Sequence, residues 1–239
     1  MMEKNPDESA GTTMALEWHE DDMPYSPLFG DHFYCRTDGR LECGHVFLSG
    51  NRLPERWRGQ SSFVIGELGF GTGLNFAETW RQWKVHRQPD GFLHFISFEL
   101  YPMSRETIAR ALSRWSEISG EADALTRAWP DDCAGIVRIE LDPQTRLSVV
   151  CGRALDGVAS ADPKFDAWYL DGFAPSRNSD MWSADLMRLV FEKTRPGGTF
   201  ATYAAAGFVR RNLAAAGFAV ERREGFAGKR EMLCGVRSA

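Results

Sequence analysis

A chain of 239 residues, 43% of them hydrophobic, has room for one α/β domain with elaborations and a sizeable core, and is expected to hold no second full enzyme domain. Five cysteines, at 35, 43, 133, 151 and 234, form no Cys-x-x-Cys, and no histidine pair stands at ligand spacing, which points to a reducing compartment and away from a bound metal. With no basic segment leading an apolar one, and no apolar run near ~18 residues, the sequence reads as cytoplasmic, neither exported nor membrane-associated.

The net charge of −5 argues against a nucleic-acid partner until its distribution is considered. Residues 1–34 carry eight acidic side chains against Lys4 alone, whereas 186–239 carry ten basic ones against four acidic. A polyanion is therefore a candidate partner for the C-terminal part.

Residues 1 to about 14 are polar and rich in small residues and read as a flexible start. From 16 to 47, aromatic residues alternate with turn formers such as Pro24, Pro27, Gly30, Asp38-Gly39 and Gly44. Short strands and loops are expected there, forming a small β-rich annex, so that the chain divides into 1–57 and a main domain over 58–239. Strands are then predicted at 62–68, 93–99, 146–151, 165–170, 198–203, 218–223 and 231–236, with helices at 73–85, 104–118, 121–129, 183–194 and 206–216. An insertion at about 119–145 holds a helical piece and then IVRIELD before the turn-like Asp142-Pro143, a hairpin leading into the strand at 146. The order predicts a Rossmann-like α/β sheet of seven mostly parallel strands closed by an antiparallel hairpin, and it resembles the class I S-adenosylmethionine-dependent methyltransferase fold.

ELGFGTGLNF at 67–76 reads as strand, glycine turn and helix start, the opening of a nucleotide-type site. Gly69, Gly71 and Gly73 let the backbone turn sharply and approach a ligand. The spacing is G-x-G-x-G, and Glu67 precedes it by two residues. That carboxylate would repel a pyrophosphate and welcome a cationic amine. S-adenosylmethionine, with an aminoacyl group, a sulfonium and no phosphate, suits the loop better than a dinucleotide. Amides at the helix start, near Asn75, would donate to its carboxylate. Glu99, at the end of the second core strand, would accept the ribose hydroxyls. After the third strand, Arg153 stands where many methyltransferases carry an acid for the adenine amino group; Asp156 or a backbone carbonyl are the alternatives.

DGFAPSRNSDMW at 171–182 follows the strand FDAWYL. A carboxylate there lies beside the donor, where a nucleophile must arrive, so Asp171 is the candidate catalytic residue. Gly172 to Pro175 would form a rigid turn carrying Phe173 as a stacking surface, with Arg177 and Asn178 placed to hydrogen-bond a substrate. The simpler reading has Asp171 capping the loop and Phe173 in the core.

Taken together, ELGFGTGLNF, HFISFE, YLDGFAPSRNSDMW, RPGGTFATY, AGFVRRNLAAAGF and KREMLCGV, with LEWHEDDMPYSPLFGDHFY and VFLSGNRLPERW nearer the N-terminus, resemble the methyltransferase half of the tRNA-modifying MnmC family over residues 16–236. The resemblance implies methyl transfer from S-adenosylmethionine to the exocyclic amine of a 5-aminomethyl-uridine, often 2-thiolated, at the wobble position in the tRNA anticodon loop. Bifunctional relatives continue into an FAD-dependent oxidase; this chain is expected to be a methyltransferase alone, without FAD. Asp171 would also border the donor and would orient the amine and relay its proton, while Phe173 and Pro175 shape a pocket for a base splayed from a single-stranded loop. The pairs Arg210-Arg211, Arg222-Arg223 and Lys229-Arg230 are expected to cluster along one edge and bind phosphates. Two other readings stand beside this one: an NAD-type oxidoreductase, and a catalytically inactive methyltransferase-like RNA-binding module.

Overall fold

The computed structural model describes residues 14–238; the flexible start expected before them lies outside the described residues, apart from Met14. Strands β1 (Glu17–His19), β2 (Met23–Ser26) and β3 (Asp31–His32) form a three-stranded antiparallel sheet. The strand-and-loop pattern expected as far as 47 stops earlier. Asp38-Gly39, which reads as a turn, is a helix start: Asp38 Oδ1 accepts from Leu41 N at 3.0 Å and caps α1 (Gly39–Glu42). A π-helical segment, Cys43–Ser49, continues it and buries Cys43, Val46, Phe47 and Leu48.

The main sheet is built from β4 (Ser62–Leu68), β5 (Phe92–Glu99), β6 (Ile136–Asp142), β7 (Thr145–Cys151), β8 (Phe165–Leu170), β9 (Thr194–Thr202), β10 (Ala219–Glu224) and β11 (Glu231–Val236). Their order is β10-β11-β9-β8-β4-β5-β7-β6. The five central strands are parallel and β10, β11 and β6 run antiparallel to their neighbours. The seven expected strands are joined by an eighth, because IVRIELD, assigned to the insertion, pairs along β7 from Ile136↔Val150 to Asp142↔Thr145.

Helices α2 (Leu74–His86), α3 (Arg105–Leu112) and α4 (Ser119–Ala128) cover one face; α5 (Ala154–Ser160), α6 (Ala184–Lys193) and α7 (Gly207–Ala216) cover the other. Burial on both faces explains why β4 and β8 are nearly continuous apolar runs. Alternation assigns their side chains: Phe63, Ile65, Ala167 and Tyr169 join the first layer, and Val64, Leu68, Trp168 and Leu170 the second. Trp168 is fully buried and needs Gly66 beside it, since a Cβ there would lie 2.5 Å from the indole ring. Each such large apolar side chain contributes about 2–3 kcal/mol.

Residues 43–57, assigned from sequence to the annex, are packed into this core. Asn51 Nδ2 donates to Phe47 O at 2.9 Å and to Trp168 O at 3.1 Å, and Thr199 Oγ1 donates to Asn51 Oδ1 at 2.6 Å. Arg56 reaches Asp166 O at 2.8 Å and Thr199 Oγ1 at 2.6 Å. Among the described residues, no helix is long and apolar enough to cross a membrane, and no cluster of His, Cys, Asp or Glu is arranged to hold a metal.

Candidate active site

A cavity of about 860 Å³ opens beyond the carboxyl ends of the parallel strands, where ligands of open α/β sheets bind. Between β4 and α2 the chain turns through Gly69 (φ +84°), Gly71 (φ +53°) and Gly73 (φ +77°). Gly69 N donates to Phe98 O at 2.9 Å and Gly71 N to Glu99 Oε2 at 2.9 Å, fixing the turn against the end of β5. Gly69 and Gly71 line the cavity, but Gly73 does not: a Cβ there would lie 3.0 Å from Leu125 and from Phe70. The third glycine thus permits close packing of the helix start.

Glu67 is set back behind the cavity wall. It is 0% exposed and does not line the cavity; its Oε1 accepts from Asn75 Nδ2 at 3.1 Å, and the Ser97 hydroxyl stands beside its carboxyl. Desolvation pushes its pKa well above the ordinary carboxylate range, reinforced by Asp171 and Glu99. Asn75, which lines the cavity, links this acid to Asp171 by donating to Asp171 Oδ2 at 2.7 Å.

Asp171 follows β8 directly, and Gly172 N donates to its Oδ1 at 2.8 Å. Burial pushes its carboxyl up to about 7, against the opposing effect of these hydrogen bonds. Glu99 already accepts Gly71 N and, at 2.7 Å, Tyr101 N. Two lone pairs per oxygen leave it able to accept one further hydrogen bond on each.

The other half of the cavity is built largely by the N-terminal segment. Phe29 stacks on Phe173 with ring centroids 4.4 Å apart, and Phe33 meets Phe173 edge-on at 5.0 Å. Asp31 Oδ2 accepts from Ala174 N at 3.2 Å, tying β3 to the 171–178 loop. Glu42 accepts from Lys229 Nζ at 2.6 Å, and that ammonium lies 4.3 Å from the Tyr203 ring centroid. The Tyr203 hydroxyl donates to Gly172 O. Sequence reasoning missed Phe29, Asp31, Phe33 and Glu42 as site residues. The signal was present in the aromatic, acidic stretch 16–34, but nothing local said that it folds over the sheet end.

Arg177 and Asn178 line the cavity, Arg177 Nη1 donating to Phe29 O at 3.4 Å; Pro175 does not line it. Arg153 lines it as well, whereas Asp156 does not. The basic pairs do not form one patch. Arg210 and Arg211 open α7 in one layer, while Lys229 binds Glu42 in the other. Arg222 and Arg223 alternate on β10 and are paired with Glu231 and Glu221.

A family model described as S-adenosyl-L-methionine-dependent methyltransferase matches residues 116–238. The tRNA 5-methylaminomethyl-2-thiouridine biosynthesis bifunctional protein MnmC of Chromohalobacter salexigens is 45% identical over 230 residues, 94% of this chain and 33% of that protein. Its namesake from a Marinomonas species is 44% identical over 224 residues, 92% of this chain and again 33% of the relative. The chain thus spans about a third of the length of the curated relatives it matches. The crystal structure of MNMC2 from Aquifex aeolicus shares the fold at a TM-score of 0.77, with 22% identity over 98% of this chain and 73% of that one.

Proposed function

Because this chain belongs to the S-adenosyl-L-methionine-dependent methyltransferase family, we propose that it methylates the exocyclic amine of 5-aminomethyl-uridine, or its 2-thio form, at the wobble position of tRNA, giving the 5-methylaminomethyl product in the cytoplasm. The observation that carries this reading is the 45% identity to a protein named for tRNA 5-methylaminomethyl-2-thiouridine biosynthesis. The methylamino group in that name is what such a transfer produces.

The residues present suit the donor. The left-handed turn at Gly69 and Gly71 leaves backbone bare to the cavity, Glu99 keeps acceptor capacity for ribose hydroxyls, and the helix start at Leu74 and Asn75 offers donors to a carboxylate. When bound, S-adenosylmethionine supplies a methyl group on a sulfonium, a good leaving group. The chain's own work is to bring a neutral amine in line with it.

An alkyl amine has a reference pKa of about 10.4 and arrives protonated. Asp171, held near 7, ionises as pH rises through the neutral range and in that form orients the amine and accepts its proton. Asp171 passes the proton it has accepted to water, which leaves a neutral amine to receive the methyl group that the donor would supply. Phe29, Phe33 and Phe173 offer aromatic faces to a base splayed from a single-stranded loop, which avoids the cost of opening a pair. In this assignment residues 58–239 carry the donor half and the N-terminal segment completes the substrate half.

The test is transfer of labelled methyl from S-adenosylmethionine to tRNA bearing the 5-aminomethyl group, beside tRNA lacking it. Label confined to the amine-bearing tRNA is expected. An inactive binding module would bind both ligands and transfer nothing.

A further inference from the structure

Besides Glu99, the carboxylates of Asp31, Glu42, Asp171 and Asp180 line the cavity. Each attracts a cation, so each stabilises the ammonium form of an alkyl amine, which cannot attack. Asp171 adjoins the glycine loop: a Cβ on Gly69 would lie 3.7 Å from Gly172 Cα. An amine drawn to Glu42 instead would be both protonated and misplaced. Glu42 is 7% exposed and already occupied, by Lys229 Nζ at 2.6 Å and by Cys35 N at 3.1 Å.

We infer that Lys229 is a positioning residue which, by occupying Glu42, leaves Asp171 as the carboxylate that receives the substrate amine and keeps that amine easier to deprotonate. The inference rests on the amine-methylation reading above. Its geometry is specific. Lys229 lies on the loop between β10 and β11, its backbone N donating to Phe226 O at 3.0 Å while Phe226 packs on the core. The ammonium is held between the Glu42 carboxylate and the Tyr203 ring, and Tyr203 in turn fixes Gly172, the residue after Asp171. The titratable and charged groups facing this corner are Asp31 from β3, Glu42 from α1, Cys43 after it, Glu67 from β4, Asp171 after β8 and Tyr203 after β9. Lys229 is the cation paired with Glu42 here, and Arg177, turned to Phe29 O, is a second cation lining the cavity. Removing Lys229 would uncover a nearly buried carboxylate and shift the proton affinity of both the amine and Asp171 upward.

The experiment is single-turnover methylation of amine-bearing tRNA at saturating donor and tRNA, followed from pH 6 to 10. Lys229→Met is expected to move the rising limb of the rate profile up by about one pH unit and to lower the rate at pH 7 by about tenfold. Lys229→Arg is expected to keep the wild-type limb. The double variant Lys229→Met with Glu42→Gln removes the uncovered charge and is expected to return the limb toward wild type, which a loss of loop structure would not do. Circular dichroism and donor affinity accompany each variant. A Lys229→Met limb at the wild-type pH, with only a salt-dependent rise in tRNA KM, would overturn the inference and make Lys229 a phosphate contact. A wild-type protein that transfers no methyl to the amine-bearing tRNA would sink the underlying reading as well, a result visible before any variant is made.

Discussion

The side-chain amide of Asn75 donates to Asp171 Oδ2 at 2.7 Å while reaching Glu67 Oε1 at 3.1 Å, so the first turn of α2 fixes the carboxylate at the end of β8. With Gly172 N on Oδ1, Asp171 is held in one orientation at the cavity floor. Asp171→Asn keeps the shape and removes the charge. Donor affinity is expected to survive, while single-turnover methylation falls by about a hundredfold or more, the range for a positioned acid–base group. A rate within a few-fold of wild type would reduce Asp171 to a loop cap.

The same carboxylate makes stability depend on pH. Its folded pKa is raised from the ordinary 3.8 to about 7, so between those values the folded protein binds more protons than the unfolded chain. Stability from this group is therefore full below about pH 3.8 and is lost as pH rises through about 7. Asp171→Asn is expected to raise Tm by about 2–4 °C at pH 8, with little gain at pH 4. Activity should move the other way, because the rate needs the ionised form. Equal Tm gains at the two pH values would contradict the raised pKa.

Much of this was legible in the sequence because it was local. The glycine turn, the strand-end acids Glu99 and Asp171, and the strand order follow from periodicity and from residues adjacent in the chain. What was not legible depends on distant contacts. Nothing near Asp38 distinguishes a turn from a capped helix start until Cys43, Val46 and Phe47 find the sheet to bury against. Glu67 precedes the loop as an exposed ligand acid would, yet the pleat turns it inward to Asn75. The Lys229–Glu42 pair joins residues 187 apart, beyond any motif.

Gly71 and Gly73 should fail in different ways. Gly71 lines the cavity at φ +53°, and a Cβ there would meet Phe33 Cδ1 at 3.3 Å, so Gly71→Val is expected to abolish donor binding in a protein that still folds. Gly73→Val strikes Leu125 and Phe70 at the helix packing and is expected to lower Tm first. Calorimetric donor titration and thermal melts on both variants distinguish the two. Undiminished affinity in folded Gly71→Val would refute the location of the donor site.

Asn51 tests whether the N-terminal segment is separable. Its side chain is 0% exposed and joins Phe47 O, Trp168 O and Thr199 Oγ1. Asn51→Leu leaves the Trp168 carbonyl and the Thr199 hydroxyl short of partners. A loss of about 2–4 kcal/mol in urea unfolding is expected, in a single transition. Two separate transitions would show that the segment before residue 58 folds independently of the sheet.

Arg211 and Arg230 are exposed, and among the described residues neither has a carboxylate within ion-pair distance. Arg211 lies in the second turn of α7 with its guanidinium beside Gly207 at the helix start, and Arg230 immediately precedes β11, so both reach the cavity end of the sheet, flanking it from opposite layers. Arg222 lies within β10 and is paired with Glu231 at 3.5 Å, while the Arg210 Nε is buried without a partner, so its loss would act on folding. Arg211→Ala and Arg230→Ala are each expected to raise the tRNA Kd and to reduce the slope of log Kd against log salt by about one, with donor affinity unchanged. Arg222→Ala is expected to leave both quantities alone. Filter binding across a salt series decides the matter, and a weakened Arg222→Ala beside wild-type-like Arg211→Ala and Arg230→Ala would move the RNA contact from the cavity rim to the outer edge of the sheet.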